Sequence, residues 1–194
     1  MISKKMIRAF LGLVLITLLS GCENEGHHKQ VDISKNEEAQ LHIVIPENPT
    51  TTQRFAAKEL AEYLNKMTEG EFLIMSANDA NQPAIRFKRK NSSQNESYQI
   101  SISKNDIVLA GNSDRAILFA VYDLLSRLGC KWLAPDFEFY SGKAEFVPNT
   151  SDLTFETGGV ITEEPIFNYR VIDVDGGRTH NADNLKKLID WMPK

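Results

Sequence analysis

Paired carboxylates are the first residues in this sequence that could do chemistry. Glu163 and Glu164 are adjacent, and two neighbouring acidic side chains can serve as a general acid and a general base. The pair directly precedes Pro165, which is typical of a solvated turn in a linker between folded segments. We therefore interpret the pair as such a turn, and no carboxylate pair in the chain is assigned a catalytic role.

Nucleophilic and metal-binding chemistry would depend on cysteine and histidine. Cys130 follows a predicted helix and precedes the apolar Trp132-Leu133, which favours a buried small residue over the alternative of a reactive nucleophile. His27 and His28 lie in a polar segment, whereas a metal site needs three or four convergent ligands on a rigid support. The sequence therefore predicts no metal site and no cofactor.

The start of the chain resembles a bacterial lipoprotein signal. Three basic residues precede an apolar run over residues 9–19, about half of the ~20 residues that a membrane-spanning helix needs. The run ends in Leu19-Ser20-Gly21-Cys22, which resembles the lipobox in which a signal peptidase cuts before a diacylated cysteine. We expect a signal peptide over residues 1–21 and a palmitate-type lipid on Cys22. The alternatives are an ordinary secretory signal with a chance cysteine, or a spanning helix.

Composition and charge narrow the class of protein. The 194 residues are 42% hydrophobic and 25% charged, which excludes a disordered or fibrous chain. The net charge is −4 and would become −7 if cleavage removed three basic residues, so a nucleic-acid partner is not expected. With Cys22 carrying lipid, Cys130 would have no partner for an intramolecular disulfide.

The elements that position these residues follow from hydrophobic periodicity. Residues 22–40 are polar, with Val31 and Ile33 as the only large apolar residues, and are predicted to form a solvated tether. The folded part is predicted to begin with a strand at Leu41. Two amphipathic helices are predicted, one from the capping hydroxyls at 50–52 to Gly70 and one from 111–114 to Gly129. Strands are predicted at residues 41–45, 72–75, 84–87, 98–103, 107–110, 131–133, 144–147 and 153–155.

This order of elements predicts an α+β fold, with a mixed β-sheet and two amphipathic helices on one face. The third and fourth strands after the first helix are joined by Lys104-Asn105-Asp106, which predicts an antiparallel hairpin. The chain offers little to cover the other face of the sheet.

Two runs near the second helix resemble a known domain. Residues 111–125, GNSDRAILFAVYDLL, are followed by residues 128–135, LGCKWLAP. Together they resemble the N-terminal accessory domain of family 20 β-hexosaminidases and family 67 α-glucuronidases, over about residues 41–170. The resemblance implies a sheet with two helices on one side, packed against a catalytic barrel. Arg115 is read as a surface or capping residue, and Tyr122 and Trp132 as core or interdomain packing.

A later run resembles the first strand and helix of a family 20 barrel. Residues 165–178, PIFNYRVIDVDGGR, precede the amphipathic segment 185–192, LKKLIDWM. Ile166 stands where the family has arginine, and Val171 where it has glycine. The resemblance implies that Arg170 grips sugar hydroxyls and that Asp175 belongs to the same substrate site. A purely structural salt bridge of Arg170 with Asp173 or Asp175 is the alternative.

We therefore expect four segments: a signal peptide 1–21, a tether 22–40, an accessory domain 41–158, and a linker with the first unit of an incomplete (β/α)8 barrel 159–194. The resemblance implies a cell-envelope glycoside-hydrolase-like protein that acts on glycans, and this chain is expected to show no hydrolase activity because the carboxylate pair that such chemistry needs is missing. Two alternatives remain: a lipid-anchored surface protein that binds carbohydrate or a protein partner through the uncovered sheet face, and a non-functional fragment of a frameshifted or split gene.

Overall fold

A computed structural model describes residues 29–78, 82–90, 96–166 and 181–194. The predicted signal peptide, Cys22 and the adjacent His27 and His28 lie outside the described residues. So do Arg170, Asp173 and Asp175, and with them nearly all of the predicted barrel strand.

The described residues form eleven strands and three helices. The strands are β1 (Lys29–Lys35), β2 (Glu38–Ala39), β3 (His42–Ile45), β4 (Ile74–Ser76), β5 (Ala84–Arg89), β6 (Tyr98–Ser103), β7 (Asp106–Gly111), β8 (Lys131–Trp132), β9 (Glu145–Phe146), β10 (Leu153–Thr157) and β11 (Ile161–Glu163). The helices are α1 (Thr51–Thr68), α2 (Asp114–Arg127) and α3 (Ala182–Trp191).

The main sheet has six strands in the order β11-β6-β7-β5-β3-β4. β3 runs parallel to both β4 and β5, and β5 runs parallel to β7, whereas β6 is antiparallel to both β7 and β11. The predicted hairpin is confirmed, because β6 and β7 pair directly through the turn at 104–105. The α+β fold with a mixed sheet is therefore confirmed.

α1 and α2 lie side by side on one face of this sheet and close the core. Thr50 caps α1 by accepting from the amide of Gln53 at 3.2 Å, and Ser113 caps α2 by accepting from the amide of Ala116 at 2.9 Å. Alternate strand residues face the helices, which places one row of aliphatic side chains from each strand in the core. Members of this core with no more than 3% exposure include Ile43, Leu60, Leu64, Ile85, Ile100, Ile102, Ile107, Leu109, Ile117 and Leu124.

The polar tether predicted over residues 22–40 is wrong for its second half. β1 pairs antiparallel with β10 and with β2, so folded structure already includes Lys29 rather than beginning at Leu41. The two apolar residues of this segment, Val31 and Ile33, are two positions apart and face the same side of β1. Both are buried in the main core, and this burial stabilises the strand although most of its other residues are polar or charged.

The linker predicted to begin at residue 159 also contains part of the sheet. Residues 161–163 form β11 at one edge, with Ile161 opposite Ile100 and Glu163 opposite Tyr98. Glu163 therefore lies in a strand and not in a solvated turn. Three consecutive backbone pairs were enough to extend the sheet beyond the predicted boundary.

Gly111 at the end of β7 makes a close approach to α2. A Cβ atom on Gly111 would lie 2.7 Å from the backbone nitrogen of Ile117 and 3.0 Å from the carbonyl carbon of Ala116. Neither backbone atom can move without displacing the start of the helix. We predict that Gly111→Ala destabilises the protein by about 1–3 kcal/mol, seen as a lower midpoint of urea unfolding.

The matched control is Gly159→Ala, because no atom lies within 4 Å of a Cβ added at Gly159. This variant should change the free energy of unfolding by no more than about 0.5 kcal/mol. Equal midpoints for the two variants would contradict the close packing of β7 against α2.

Candidate functional site

A wide concave surface of the described residues is an open groove between α1, the β8–β9 hairpin and α3. Its volume is about 890 Å³, and aromatic side chains line it together with carboxylates and lysines. Tyr63 comes from α1, Trp132 and Phe146 from the hairpin, and Trp191 from α3. Trp132 and Trp191 are the two tryptophans of the chain.

A hydrogen-bonded aromatic cluster forms the wall of this groove. The indole N–H of Trp132 donates to the Tyr63 hydroxyl at 2.7 Å, and that hydroxyl donates to Oε2 of Glu145 at 2.7 Å. The rings of Tyr63 and Tyr122 each meet the Trp132 ring edge to face, with centroids 5.4 and 5.3 Å apart. Edge-to-face contact is the favoured arrangement of aromatic pairs, so the cluster is fixed by both its rings and its polar atoms.

Glu59 is the buried charge next to this cluster. The Tyr122 hydroxyl donates to Oε2 of Glu59 at 2.8 Å, and Nζ of Lys194 lies 3.7 Å from the same oxygen. Glu59 is 8% exposed, so its carboxylate depends on these two partners for the solvation that water would otherwise give. The contacts join α1 to α2 and to the end of the chain.

Burial raises the pKa of both tyrosines in the cluster well above the ordinary tyrosine value. For Tyr63 the next cause is the hydrogen bond to Glu145, and for Tyr122 it is the hydrogen bond to Glu59. Both hydroxyls therefore stay protonated at neutral pH. They act as fixed hydrogen-bond donors and not as bases.

α3 is buried along only one narrow side. Leu188 and Asn184 are its buried residues, while Leu185, Ile189 and Met192 are 42%, 59% and 46% exposed. A helix with apolar residues on its free side has a surface suited to a further partner.

The Glu163–Glu164 pair is not arranged as an acid and a base. Glu163 lies 3.5 Å from the Arg127 guanidinium, and the Glu163 side chain is 52% exposed. The same guanidinium also donates to Asp123 at 3.0 Å. Both glutamates border a separate cavity of about 360 Å³. An exposed carboxylate paired with arginine lacks the dry surroundings that tune catalytic carboxylates.

The other sequence-predicted residues occupy structural positions. Cys130 is 1% exposed, its Sγ lies 3.7 Å from Sδ of Met67, and burial raises its pKa to about 11. The interpretation as a buried small residue is therefore confirmed. Arg115 lies on the surface and pairs with Glu96, and Tyr122 and Trp132 belong to the aromatic cluster.

Sequence reasoning missed Glu59, Tyr63 and Glu145. A charged residue within the apolar stripe of α1 was the available signal for Glu59, because such a position is buried only when a partner is present. Glu145 had no such signal, since its contact with Tyr63 spans 82 residues of sequence.

Two kinds of feature are absent from the described residues. They contain no group of three or more histidine, cysteine, aspartate or glutamate side chains that could hold a metal ion. Within the same ranges, no helix has both the length and the apolar character required to cross a membrane.

Comparison with known proteins gives likenesses of low identity. The chitobiase of Flavobacterium johnsoniae is 18% identical with a TM-score of 0.46, over 76% of this chain and 21% of that one. The family 20 exo-β-N-acetylglucosaminidase of Vibrio harveyi in complex with N-acetylglucosamine is 18% identical with a TM-score of 0.44, over 75% of this chain and 19% of that one. A family 138 enzyme that targets pectin rhamnogalacturonan II is 19% identical with a TM-score of 0.40, over 47% of this chain and 13% of that one.

This chain therefore spans about a fifth or less of the length of those three proteins. No protein-family model and no curated protein matches its sequence. At TM-scores below 0.5, the likenesses alone assign neither a family nor an activity to this chain.

Proposed function

We propose that this chain is the non-catalytic accessory domain of a glycoside-hydrolase-like protein of the cell envelope. The observation that carries the proposal is the position of α3. This helix buries Leu188, and Lys194 just beyond its end lies 3.7 Å from Glu59, while Leu185, Ile189 and Met192 remain exposed. A barrel built onto this domain would use such a helix, with one side on the accessory domain and the apolar side on its own strands and neighbouring helices.

The motif that resembles the accessory domains supports the same proposal. Its glycine is Gly111, where β7 touches α2, and Tyr122 and Trp132 are two of its three aromatic residues. Tyr122 and Trp132 meet edge to face, and the Tyr122 hydroxyl donates to Glu59, which Lys194 beyond α3 reaches. Two residues of the motif therefore lie next to the point where the segment after α3 meets α1.

The non-catalytic part of the proposal is supported by the partners of two carboxylates in the groove, Glu59 and Glu145. Glycoside hydrolysis needs one carboxyl group as an acid and a second as a base or nucleophile. Glu59 is held by Tyr122 and Lys194, and Glu145 is held by Tyr63 and Lys66. Both carboxylates therefore have structural partners.

The substrate side of the proposal concerns residues outside the described ranges. Arg170 and Asp175 are proposed to contact the sugar once a barrel is complete, because a guanidinium donates two parallel hydrogen bonds to neighbouring oxygens. The substrates proposed for the whole protein are glycans of the β-hexosaminidase or α-glucuronidase type. We also propose lipid attachment at Cys22 and a bacterial envelope location.

The alternative proposal is carbohydrate or protein binding on the uncovered face of the sheet. The observation in its favour is that this face carries polar pairs between neighbouring strands, with Arg86 donating to Asp106 at 2.7 Å and Gln99 donating to Thr162 at 3.2 Å. Neither α1 nor α2 covers it.

We predict that the purified 194-residue chain does not hydrolyse aryl N-acetylglucosaminides or aryl glucuronides, because Glu59 and Glu145 are held by structural partners and Glu163 is paired with Arg127. The measurement is aryl release against a blank without protein. Release that exceeds the blank and disappears in Glu163→Gln and Glu164→Gln would overturn the proposal and place those carboxylates at an active site.

We also predict that Cys22→Ser moves the protein from the membrane fraction to the soluble fraction of cells, because lipid on Cys22 is the proposed anchor. Fractionation with sedimentation controls for aggregation measures this. If the Cys22→Ser protein stays in the membrane fraction and the controls show that it is not aggregated, the lipid anchor is contradicted.

A further inference from the structure

We propose that the groove between α1, the β8–β9 hairpin and α3 binds a short neutral oligosaccharide. This site is distinct from Arg170 and Asp175 and from the uncovered face of the sheet. It does not require the accessory-domain proposal to be correct, since it rests on the side chains that line the groove.

The shape and aromatic content of the groove suit a sugar chain. Its volume of about 890 Å³ lies within the ~300–1,000 Å³ range of small-molecule sites. Trp132 is partly exposed on its wall, and Phe146 is 49% exposed. Sugar rings have apolar C–H faces that pack on aromatic rings, and Trp132 is held rigidly for that purpose by its bond to Tyr63.

Polar side chains on the same surface supply hydrogen bonds for hydroxyl groups. Asp136 and Lys143 come from the segment between β8 and β9, and Lys187 comes from α3. Among the described residues, none of these three makes a hydrogen bond or ion pair within the groove, so each can turn to a ligand. Carboxylates accept from hydroxyls and ammonium groups donate to them, and both bonds gain strength from the charge.

The balance of charge favours a neutral ligand over an ionic one. Five carboxylates and four lysines line the groove, and several are already paired, as in Lys66 with Glu145 and Lys194 with both Glu59 and Asp190. An anionic glycan would gain no net attraction from this lining, and the chain as a whole is acidic. A polyhydroxylated neutral chain uses donors and acceptors equally.

The groove stays open if another unit packs on α3. At 3.6 residues per turn, Lys187, Asp190 and Trp191 fall on the side of α3 that lines the groove. The exposed Leu185 and Ile189 fall on the opposite side. A barrel or partner seated on the apolar side therefore leaves the sugar site accessible.

The test uses the intrinsic fluorescence of the protein, because both tryptophans of the chain line the groove. We expect saturable changes in its emission with at least one of chitotriose, cellotriose, xylotriose or mannotriose, and weaker binding of trigalacturonate. Isothermal titration of the unaltered chain should give the same dissociation constant.

Lys143→Ala should weaken binding about tenfold, the loss expected for a charge-assisted hydrogen bond. Lys143 is exposed and outside the aromatic cluster, so the fold should be unchanged by circular dichroism. The matched control is Lys88→Ala, an exposed lysine on β5 away from the groove, which should bind as the unaltered chain does.

Three results would overturn the proposal. The first is the absence of saturable binding of any neutral trisaccharide up to about 10 mM. The second is equal binding by Lys143→Ala and the unaltered chain, or weakening by Lys88→Ala instead, which would place the site elsewhere. The third is tighter binding of trigalacturonate than of every neutral sugar, which would refute the ligand class.

Discussion

The need to satisfy one buried carboxylate organises the helix layer of this protein. Glu59 lies on the apolar stripe of α1, and a buried charge is stable only when it is paired and hydrogen-bonded. Tyr122 from α2 and Lys194 beyond α3 supply those partners. The positions of α1, α2 and the end of the chain are thereby joined at the Glu59 carboxylate. Loss of Tyr122 would remove a hydrogen bond from this carboxylate, and loss of Lys194 would leave its charge uncompensated.

The aromatic cluster extends this constraint to the β8–β9 hairpin. Trp132 packs against both Tyr63 and Tyr122. Glu145, which lies directly opposite Trp132 in the hairpin, accepts a hydrogen bond from the Tyr63 hydroxyl. The hairpin is otherwise only two residues long on each strand and could not hold its place by backbone pairing alone. The groove therefore lies on the side of the domain formed by the helices and the β8–β9 hairpin.

The sequence was informative where structure depends on local pattern. The helices were predictable because apolar residues recur every three or four positions between recognisable caps, and the β6–β7 hairpin because Ile100 and Ile102 alternate with polar residues before a short turn. Cys130 was predictable from its apolar neighbours. These features need no knowledge of distant residues.

The errors and omissions concern contacts between distant segments. β1 contains a charged or polar residue at five of its seven positions, and it is a strand because β10 supplies backbone partners more than 110 residues away. β11 joins the sheet through β6 in the same way. The groove escaped sequence analysis for the same reason, since its walls come from α1, the hairpin and α3.

Native-state hydrogen exchange tests the central proposal most directly, namely that α3, which buries only one side, is part of a further folded unit. α2 is buried along most of one face, whereas α3 buries only Asn184 and Leu188. The account predicts that amides of Ala182–Trp191 exchange much faster than those of Asp114–Arg127, through local opening that leaves α2 intact. Equal protection of the two helices would mean that α3 is an integral part of a complete domain, and would contradict the account.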